Sequence, residues 1–160
     1  MHKSITSLLL FVVALAGCTD RIEDRLIQKV KQACSSPTEP GGTVALKNLT
    51  SFKWEKCYFF TSWTTADSIK WVIGLAYMGD DVADDYTRMV FTQANAVVHE
   101  EDFQSFDYHR STIGFPEMTD SLLQAKSPFI TPDNALFLVE KGKIENACAE
   151  CFHYSLSVKK

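Results

Sequence analysis

Residues 52 to 74 read Phe-Lys-Trp-Glu-Lys-Cys-Tyr-Phe-Phe-Thr-Ser-Trp-Thr-Thr-Ala-Asp-Ser-Ile-Lys-Trp-Val-Ile-Gly. The first part, from Phe52 to Phe60, is rich in aromatic side chains, a composition typical of β-strands. In the second part, Thr64 or Thr65 can cap a short helix and Gly74 can end it. The apolar residues between these limits are spaced so that they share one helix face: Ala66, Ile69 and Ile73. The stretch therefore predicts a strand-then-helix unit.

Further strand signals lie on both sides of this unit. Aromatic and β-branched residues predict strands at 43–46, 86–92, 96–99, 106–108, 135–139 and 152–158. We expect turns at 93–95 and 141–143, and one or two helical turns at 119–125. Because strands outnumber helices and follow one another through short turns, the sequence predicts an α+β domain, a mostly antiparallel sheet with helices packed on one side. A closed barrel is the alternative, because the pattern leaves the number of strands open.

An amphipathic helix is predicted ahead of the sheet. Asp20-x-x-Glu23 resembles a capping box at a helix start. Apolar residues then recur at spacings of three and four: Ile22, Leu26, Val30, Ala33 and Cys34. The helix should end before Pro37, because the Pro-Thr-Glu-Pro-Gly-Gly segment at 37–42 cannot continue it. We expect the helix to lie against the membrane or the domain; the alternative is a spacer with 37–42 as its hinge.

The N-terminus combines a basic start with a short apolar run. Lys3 precedes apolar residues from Leu8 to Ala16, and this run is far shorter than the roughly 20 residues of a membrane-spanning helix. The run ends in Leu15-Ala16-Gly17-Cys18, and residues 1–18 resemble the lipobox signal of bacterial lipoproteins.

That resemblance implies a signal peptide at 1–17 and lipidation of Cys18, which would anchor the chain in a membrane. Thr19 stands where the family's inner-membrane retention signal has Asp, which implies a location in the outer membrane, facing the periplasm. The alternative is a plain secreted protein with a chance cysteine at its cleavage site. The rest of the chain is expected to comprise the lipidated N-terminus and helix at 18–36, a linker at 37–42 and one domain at 43–160.

A second resemblance rests on Phe52 to Phe60, followed by Ser62-Trp63-Thr64, Ile69 and Gly74. This stretch resembles a group of uncharacterised small exported bacterial proteins, in which a Trp-Asp-Lys strand leads into a short helix closing on Gly. Here Glu55 replaces the usual Asp, and Trp63 replaces a common Tyr. The resemblance supports the predicted fold and implies no activity.

The charge of the chain limits its partners. The formal net charge is -4, and it becomes -5 once Lys3 is removed with the signal, because 15 basic residues then face 20 acidic ones. A mildly acidic surface argues against nucleic acid or anionic lipid as the binding partner.

Four cysteines remain once Cys18 carries lipid: Cys34, Cys57, Cys148 and Cys151. In an oxidising envelope compartment we expect one or two disulfides, and the sequence does not choose among the three pairings. A bond from Cys34 to the segment 148–151 would clamp the first helix to the end of the domain. In the chain-entropy model, a disulfide that closes so long a loop would add on the order of 4 kcal/mol to the free energy of unfolding.

The Cys148-x-x-Cys151 motif has two other interpretations. A thioredoxin-like redox pair needs the motif at a helix start early in a βαβ unit, whereas this motif comes late, before a predicted strand. A zinc site that adds His153 and one more cysteine would lack a second ligand pair at motif spacing. Structural disulfides are therefore favoured, and we expect no metal and no cofactor.

Two acidic segments stand out. Residues 80–85 read Asp-Asp-Val-Ala-Asp-Asp, which superficially matches the magnesium-binding motif of prenyl-chain synthases, but those are large, all-helical enzymes. A solvated loop is favoured, with calcium or a basic protein partner as alternatives. His99-Glu100-Glu101-Asp102-Phe103 begins like a zinc protease motif and lacks its second histidine. The candidate partner-binding residues are Asp80, Asp81, Asp84, Asp85, Glu100, Glu101 and Asp102.

Histidines and tryptophans are weaker candidates. His99, His109 and His153 can pair with carboxylates as acid-base groups, but no recognisable nucleophile accompanies them, so we predict no catalytic residues. The three tryptophans can stack on a sugar or a peptide, although aromatic residues near strands are more often core: Trp54, Trp63 and Trp71.

Small size, an acidic domain and a membrane tether favour a protein-binding envelope lipoprotein. We expect a protective role, as an immunity or exclusion protein against an envelope-acting toxin or competitor. The alternatives are an envelope-assembly or accessory lipoprotein that binds another envelope component and, less favoured, an enzyme.

Overall fold

The computed structural model describes residues 21–35, 42–107, 109–115, 129–143, 148–149 and 151–159. The helices are α1 (Ile22–Ala33) and α2 (Ala66–Ile73), with a short 3-10 helix at Leu46–Asn48. The strands are β1 (Thr43–Ala45), β2 (Lys56–Phe60), β3 (Tyr86–Gln93), β4 (Ala96–Gln104), β5 (Thr112–Gly114), β6 (Phe129–Ile130), β7 (Leu136–Lys143) and β8 (Phe152–Val158).

The strands form two four-stranded sheets. Sheet A has the order β1-β7-β8-β5, and sheet B has the order β4-β3-β2-β6. Neighbouring strands are antiparallel except for β5 and β8, which run parallel. The predicted α+β class with mostly antiparallel pairing is confirmed. Within the part of the chain that the structure describes, the strands divide between two sheets rather than closing one barrel.

The main core lies between the sheets and α1. Sheet A contributes Phe137 and Leu156, sheet B contributes Met89 and Phe91, and all four side chains are fully buried. A second core lies on the opposite face of sheet B, where Tyr58, Phe60 and Val90 pack with residues of α2. Because both faces of sheet B are covered, β2 is buried at every position from Cys57 to Phe60.

The helix α2 has the ends that the sequence predicts. The Thr65 hydroxyl accepts a hydrogen bond from the Ser68 backbone N–H at 3.2 Å, which caps the helix start. Gly74 ends the helix in the left-handed conformation, with φ of 68°. Ile69 and Ile73 are buried on the face that meets sheet B.

The helix α1 is part of the domain. Ile22, Leu26 and Val30 are fully buried in the main core, and Ala33 and Cys34 are half-buried against it. The helix before the predicted boundary at residue 43 therefore shares one hydrophobic core with the strands that follow it. The predicted linker ends in Gly42, which lies against Ala33 and whose carbonyl oxygen accepts a hydrogen bond from the Val139 N–H at 3.0 Å.

The predicted capping box is wrong. Arg21 is the N-cap residue, and Asp20 lies outside the described residues. The acceptor comes from β4, where the two carboxylate oxygens of Glu101 accept the N–H groups of Ile22 at 3.0 Å and Glu23 at 2.9 Å. The Glu23 carboxylate accepts hydrogen bonds from Gln104 and Arg110, and at the helix start it pairs with the Arg21 side chain.

Other boundaries differ from the prediction. The hairpin turn is the residue pair Ala94 and Asn95, β4 runs on to Gln104, and Phe106 lies beyond its end. The turn predicted at 141–143 is wrong, because β7 continues through Lys143 opposite β8. The short strands β5 and β6 have no counterpart in the prediction. The helical turns predicted at 119–125, residue 108 and the signal peptide with Cys18 lie outside the described residues.

Among the described residues, neither helix has the length and apolar character required to cross a bilayer.

Candidate functional site

The outer side of sheet B carries the candidate site. We name it the α2 face, and it consists of Trp63, the helix α2, the loop 74–85 and the tip of the β3–β4 hairpin at 94–97. Only some residues of the two acidic segments lie on this face, because successive side chains of β4 point to opposite sides of the sheet. Glu100 and Asp102 lie on the α2 side, whereas Glu101 lies on the α1 side, where it caps α1.

Arg88 holds the α2 face together. Its Nε and Nη2 donate to the two carboxylate oxygens of Asp102 at 2.6 and 2.7 Å, and its Nη1 donates to the Tyr77 hydroxyl at 2.8 Å. The same Nη1 donates to the carbonyl oxygen of Asp80, which fastens the loop to the sheet. The hydrogen bonds from Arg88 to Asp102 raise the pKa of this largely buried guanidinium above its ordinary value. Asp102 is therefore a structural partner of Arg88.

Tyr77 links this guanidinium to Glu100. Its ring is buried, its hydroxyl accepts from Arg88, and the Glu100 carboxylate lies near that hydroxyl. Burial, followed by the Glu100 acceptor, raises the pKa of Tyr77 to about 12. The phenol thus stays protonated throughout the physiological range.

The acidic loop lies beside α2. Asp81 Oδ1 accepts the Ala66 N–H at 2.7 Å and so adds a second cap to α2, and Asp84 accepts from the backbone of Asp85. Val82 between them is buried and exchanges backbone hydrogen bonds with Trp63 and Thr64. The side chains of the four loop aspartates remain exposed: Asp80, Asp81, Asp84 and Asp85.

Large apolar side chains stand beside these carboxylates. Trp63, Trp71 and Met78 are 74%, 85% and 95% exposed, whereas Trp54 is buried in the main core. Trp63 has φ of 67°, a conformation that a side chain of this size rarely adopts. The strain is held in place by the backbone hydrogen bond from Trp63 to Val82. Exposed Trp and Met side chains are enriched in protein-binding surfaces.

A cavity opens between the loop and the hairpin tip. Its volume is about 520 Å³, and Tyr77, Met78 and Gly79 line one wall. Asn95, Ala96, Val97 and Glu100 line the other. The cavity is open to solvent and combines one carboxylate with apolar walls.

A second polar cluster fixes the start of α1. Glu23 is fully buried, with Oε1 accepting from the Gln104 N–H at 3.2 Å and Oε2 lying 3.0 Å from Arg21 Nη2. Burial raises the pKa of this carboxyl, and Arg110 and Arg21 oppose the rise. His99 Nε2 lies 3.3 Å from Glu101 Oε2. This cluster joins α1 to β4 and gives Glu101 a structural role.

The cysteines pair locally. Cys148 and Cys151 form a disulfide with their Cα atoms 5.1 Å apart, and Cys34 and Cys57 are free thiols. The bond from Cys34 to the segment 148–151, one of the possibilities that the sequence leaves open, is not formed in this structure. Two cysteines three positions apart meet without a long loop being closed, and α1 is already held by its apolar stripe and by Glu101. Burial raises the pKa of the Cys57 thiol well above its ordinary value, which keeps it unreactive.

The histidines do not gather into one site. His99 lies in sheet B and packs against Phe52 at 4.7 Å between ring centroids, and His109 lies in an exposed position after β4. His153 lies in sheet A, where its Nδ1 is 3.0 Å from the Thr112 hydroxyl and burial lowers its pKa. Within the described ranges, no three His, Cys, Asp or Glu side chains are placed to hold a metal ion.

Sequence reasoning missed Tyr77, Met78 and Arg88. The sequence did contain an indication for Arg88, because a charged residue directly before Met89-Val90-Phe91 in a buried strand requires a partner. It contained none for Met78 and Tyr77, because their role depends on how the loop folds back over the sheet.

A scan against protein-family models finds no match, and neither a search of the curated proteins nor a search of the solved structures returns one.

Proposed function

We propose that this chain is an envelope lipoprotein that binds a protein through its α2 face and protects the cell that carries it, as an immunity or exclusion protein does. The observation that carries the binding role is the group of exposed Trp63, Trp71 and Met78 beside an acidic loop. Exposed apolar side chains that form a contiguous patch commonly mark a protein-binding site, and these three lie in or next to α2 and the loop that follows it. Aromatic residues at the centre of an interface commonly supply most of the binding energy.

The lipid anchor is supported by Leu15-Ala16-Gly17-Cys18. The first residue of α1 is Ile22, and its N–H is bound by Glu101 of β4. The four steps from Cys18 to Ile22 span at most about 14 Å of extended chain. A lipidated Cys18 would therefore hold the domain at the membrane surface, where an envelope-acting toxin arrives.

A competition assay tests the proposal. Cells that lack the gene are mixed with wild-type siblings and with the supernatant of the same strain, and survival is counted. We expect the deletion to raise sensitivity at least tenfold, and the intact gene supplied in trans to restore survival. Cys18→Ser should fail to restore it, because the unanchored domain leaves the membrane.

Surface variants assign the protective role to the α2 face. Trp71→Ser and Met78→Ser should behave like the deletion while the protein accumulates normally. Leu138→Ser is the matched control, because Leu138 is an exposed apolar residue of sheet A, and this variant should protect fully. Unchanged survival of the deletion would refute the protective role, and full protection by the α2-face variants would refute the surface assignment.

A further inference from the structure

The cavity of the α2 face is large enough to receive one amino-acid side chain. It lies between Tyr77-Met78-Gly79 of the loop and Asn95-Ala96-Val97 of the hairpin, and its volume is about 520 Å³. Met78 and Val97 provide apolar surface that can cover the methylene groups of a long side chain. Glu100 is the charged residue among its lining residues.

The Glu100 carboxylate lies close to Tyr77 and Gly79. Arg88 donates to the Tyr77 hydroxyl at 2.8 Å, and that hydroxyl lies near the Glu100 carboxylate. Gly79 leaves the space for this arrangement, because a Cβ at that position would lie 2.3 Å from the Tyr77 hydroxyl oxygen and 2.9 Å from Glu100 Oε2. A carboxylate held in this way loses less side-chain entropy when a cation binds to it than a freely rotating one does.

The charges around the cavity favour a cation. Arg88 is neutralised by the bidentate contact with Asp102, so it does not compensate Glu100. The ion pairs formed by the described residues do not include Glu100, and Asp80 follows Gly79 at the rim with an exposed side chain. The cavity thus presents a carboxylate without an ion-pair partner beside apolar side chains.

We propose that this cavity receives a basic side chain, Lys or Arg, of the protein partner, with Glu100 as its counter-charge. The inference rests on the proposed protein-binding function and adds the chemistry that the partner must present. Apolar residues of the partner cover Trp71 and Met78, and a neighbouring basic residue enters the cavity. Glu100 supplies specificity for charge, and the exposed aromatic residues supply most of the contact area.

A peptide titration tests this subsite without the natural partner. The ¹⁵N-labelled full chain is titrated with acetyl-Leu-Arg-Leu-amide and followed by the chemical shifts of its backbone amides. The matched probe replaces Arg by citrulline, which has nearly the same shape and no charge. We expect saturable shifts at Gly79, Ala96 and Val97 with the arginine peptide, and binding of the citrulline peptide about fivefold weaker, as for a partly exposed ion pair.

Two variants assign the effect. Glu100→Gln keeps an acceptor for Tyr77 and removes the charge, so it should bind both peptides equally weakly. Glu140→Gln removes a charge from sheet A and should bind like the wild type. Equal binding of the two peptides to the wild-type chain, shifts confined to other residues, or absence of saturable shifts would each overturn the subsite. If the cavity binds the arginine peptide but the deletion does not change cell survival, the protective role is refuted and the subsite stands.

Discussion

Neighbouring carboxylates on β4 have different roles because a strand turns successive side chains to opposite faces. Glu101 faces α1 and binds two backbone N–H groups, at 3.0 and 2.9 Å. Glu100 faces the cavity and is exposed. Sequence reasoning grouped both with Asp102 as partner-binding residues, since it recognised a charged segment but not the face on which each charge lies. Only Glu100 of the three remains a contact candidate.

Glu101→Ala should destabilise the fold. The change leaves the N–H groups of Ile22 and Glu23 without their acceptor, and a lost N-cap costs about 1–2 kcal/mol. The measurement is the free energy of unfolding in urea, read from tryptophan fluorescence.

The control is Glu140→Ala, which makes the same chemical change at an exposed position of β7. It should alter the free energy of unfolding by less than about 0.5 kcal/mol. Equal effects of the two substitutions would show that the cap contributes nothing.

The two helices show what local sequence determines. The limits of α2 are predicted correctly because Thr65, Ile69, Ile73 and Gly74 act within the helix itself. The stripe of α1 is also predicted, but its cap is not, because Glu101 lies 79 positions from Ile22 along the chain. Patterns of three and four residues contain no information on such a contact.

Gly42, the last residue of the predicted linker, packs against the end of α1. A Cβ at this position would lie 2.3 Å from the Cβ and 2.9 Å from the Cα of Ala33. Gly42→Ala should therefore displace the end of the helix and lower the free energy of unfolding by about 1–3 kcal/mol, as overpacking does. Alkylation of the half-buried Cys34 should become faster, because that thiol follows Ala33 directly.

A double-mutant cycle checks the contact. Ala33→Gly opens space opposite residue 42 and by itself costs about 1 kcal/mol as a helix glycine. In the double variant the two losses should be less than additive, because the clash is relieved. Strict additivity would contradict the contact between Gly42 and Ala33.

At the scale of the whole molecule, composition and alternation correctly predict the α+β class, but they do not predict two sheets. The β8 pattern of Tyr154 and Leu156 inward indicates one buried face without specifying which strands lie opposite. Only the folded chain places Phe137 of one sheet and Phe59 of the other in ring contact at 6.5 Å. The α2 face lies on the side of sheet B opposite to this contact.

The pairing of the cysteines gives a test of what holds the whole molecule together. In the chain-entropy model a bond between Cys148 and Cys151 closes a loop so short that it contributes only about 2 kcal/mol, against on the order of 4 kcal/mol for a bond that reaches Cys34. Reduction should therefore leave the protein folded and lower Tm by roughly 4–8 °C. Cys148→Ser should reproduce that decrease, whereas Cys34→Ser under non-reducing conditions should leave Tm within a degree or two, since Cys34 is a free thiol.

Unfolding on reduction, or a Cys34→Ser variant as unstable as the reduced protein, would show that a covalent bond holds α1. A decrease confined to reduction and Cys148→Ser would leave the apolar stripe and Glu101 as the groups that dock it.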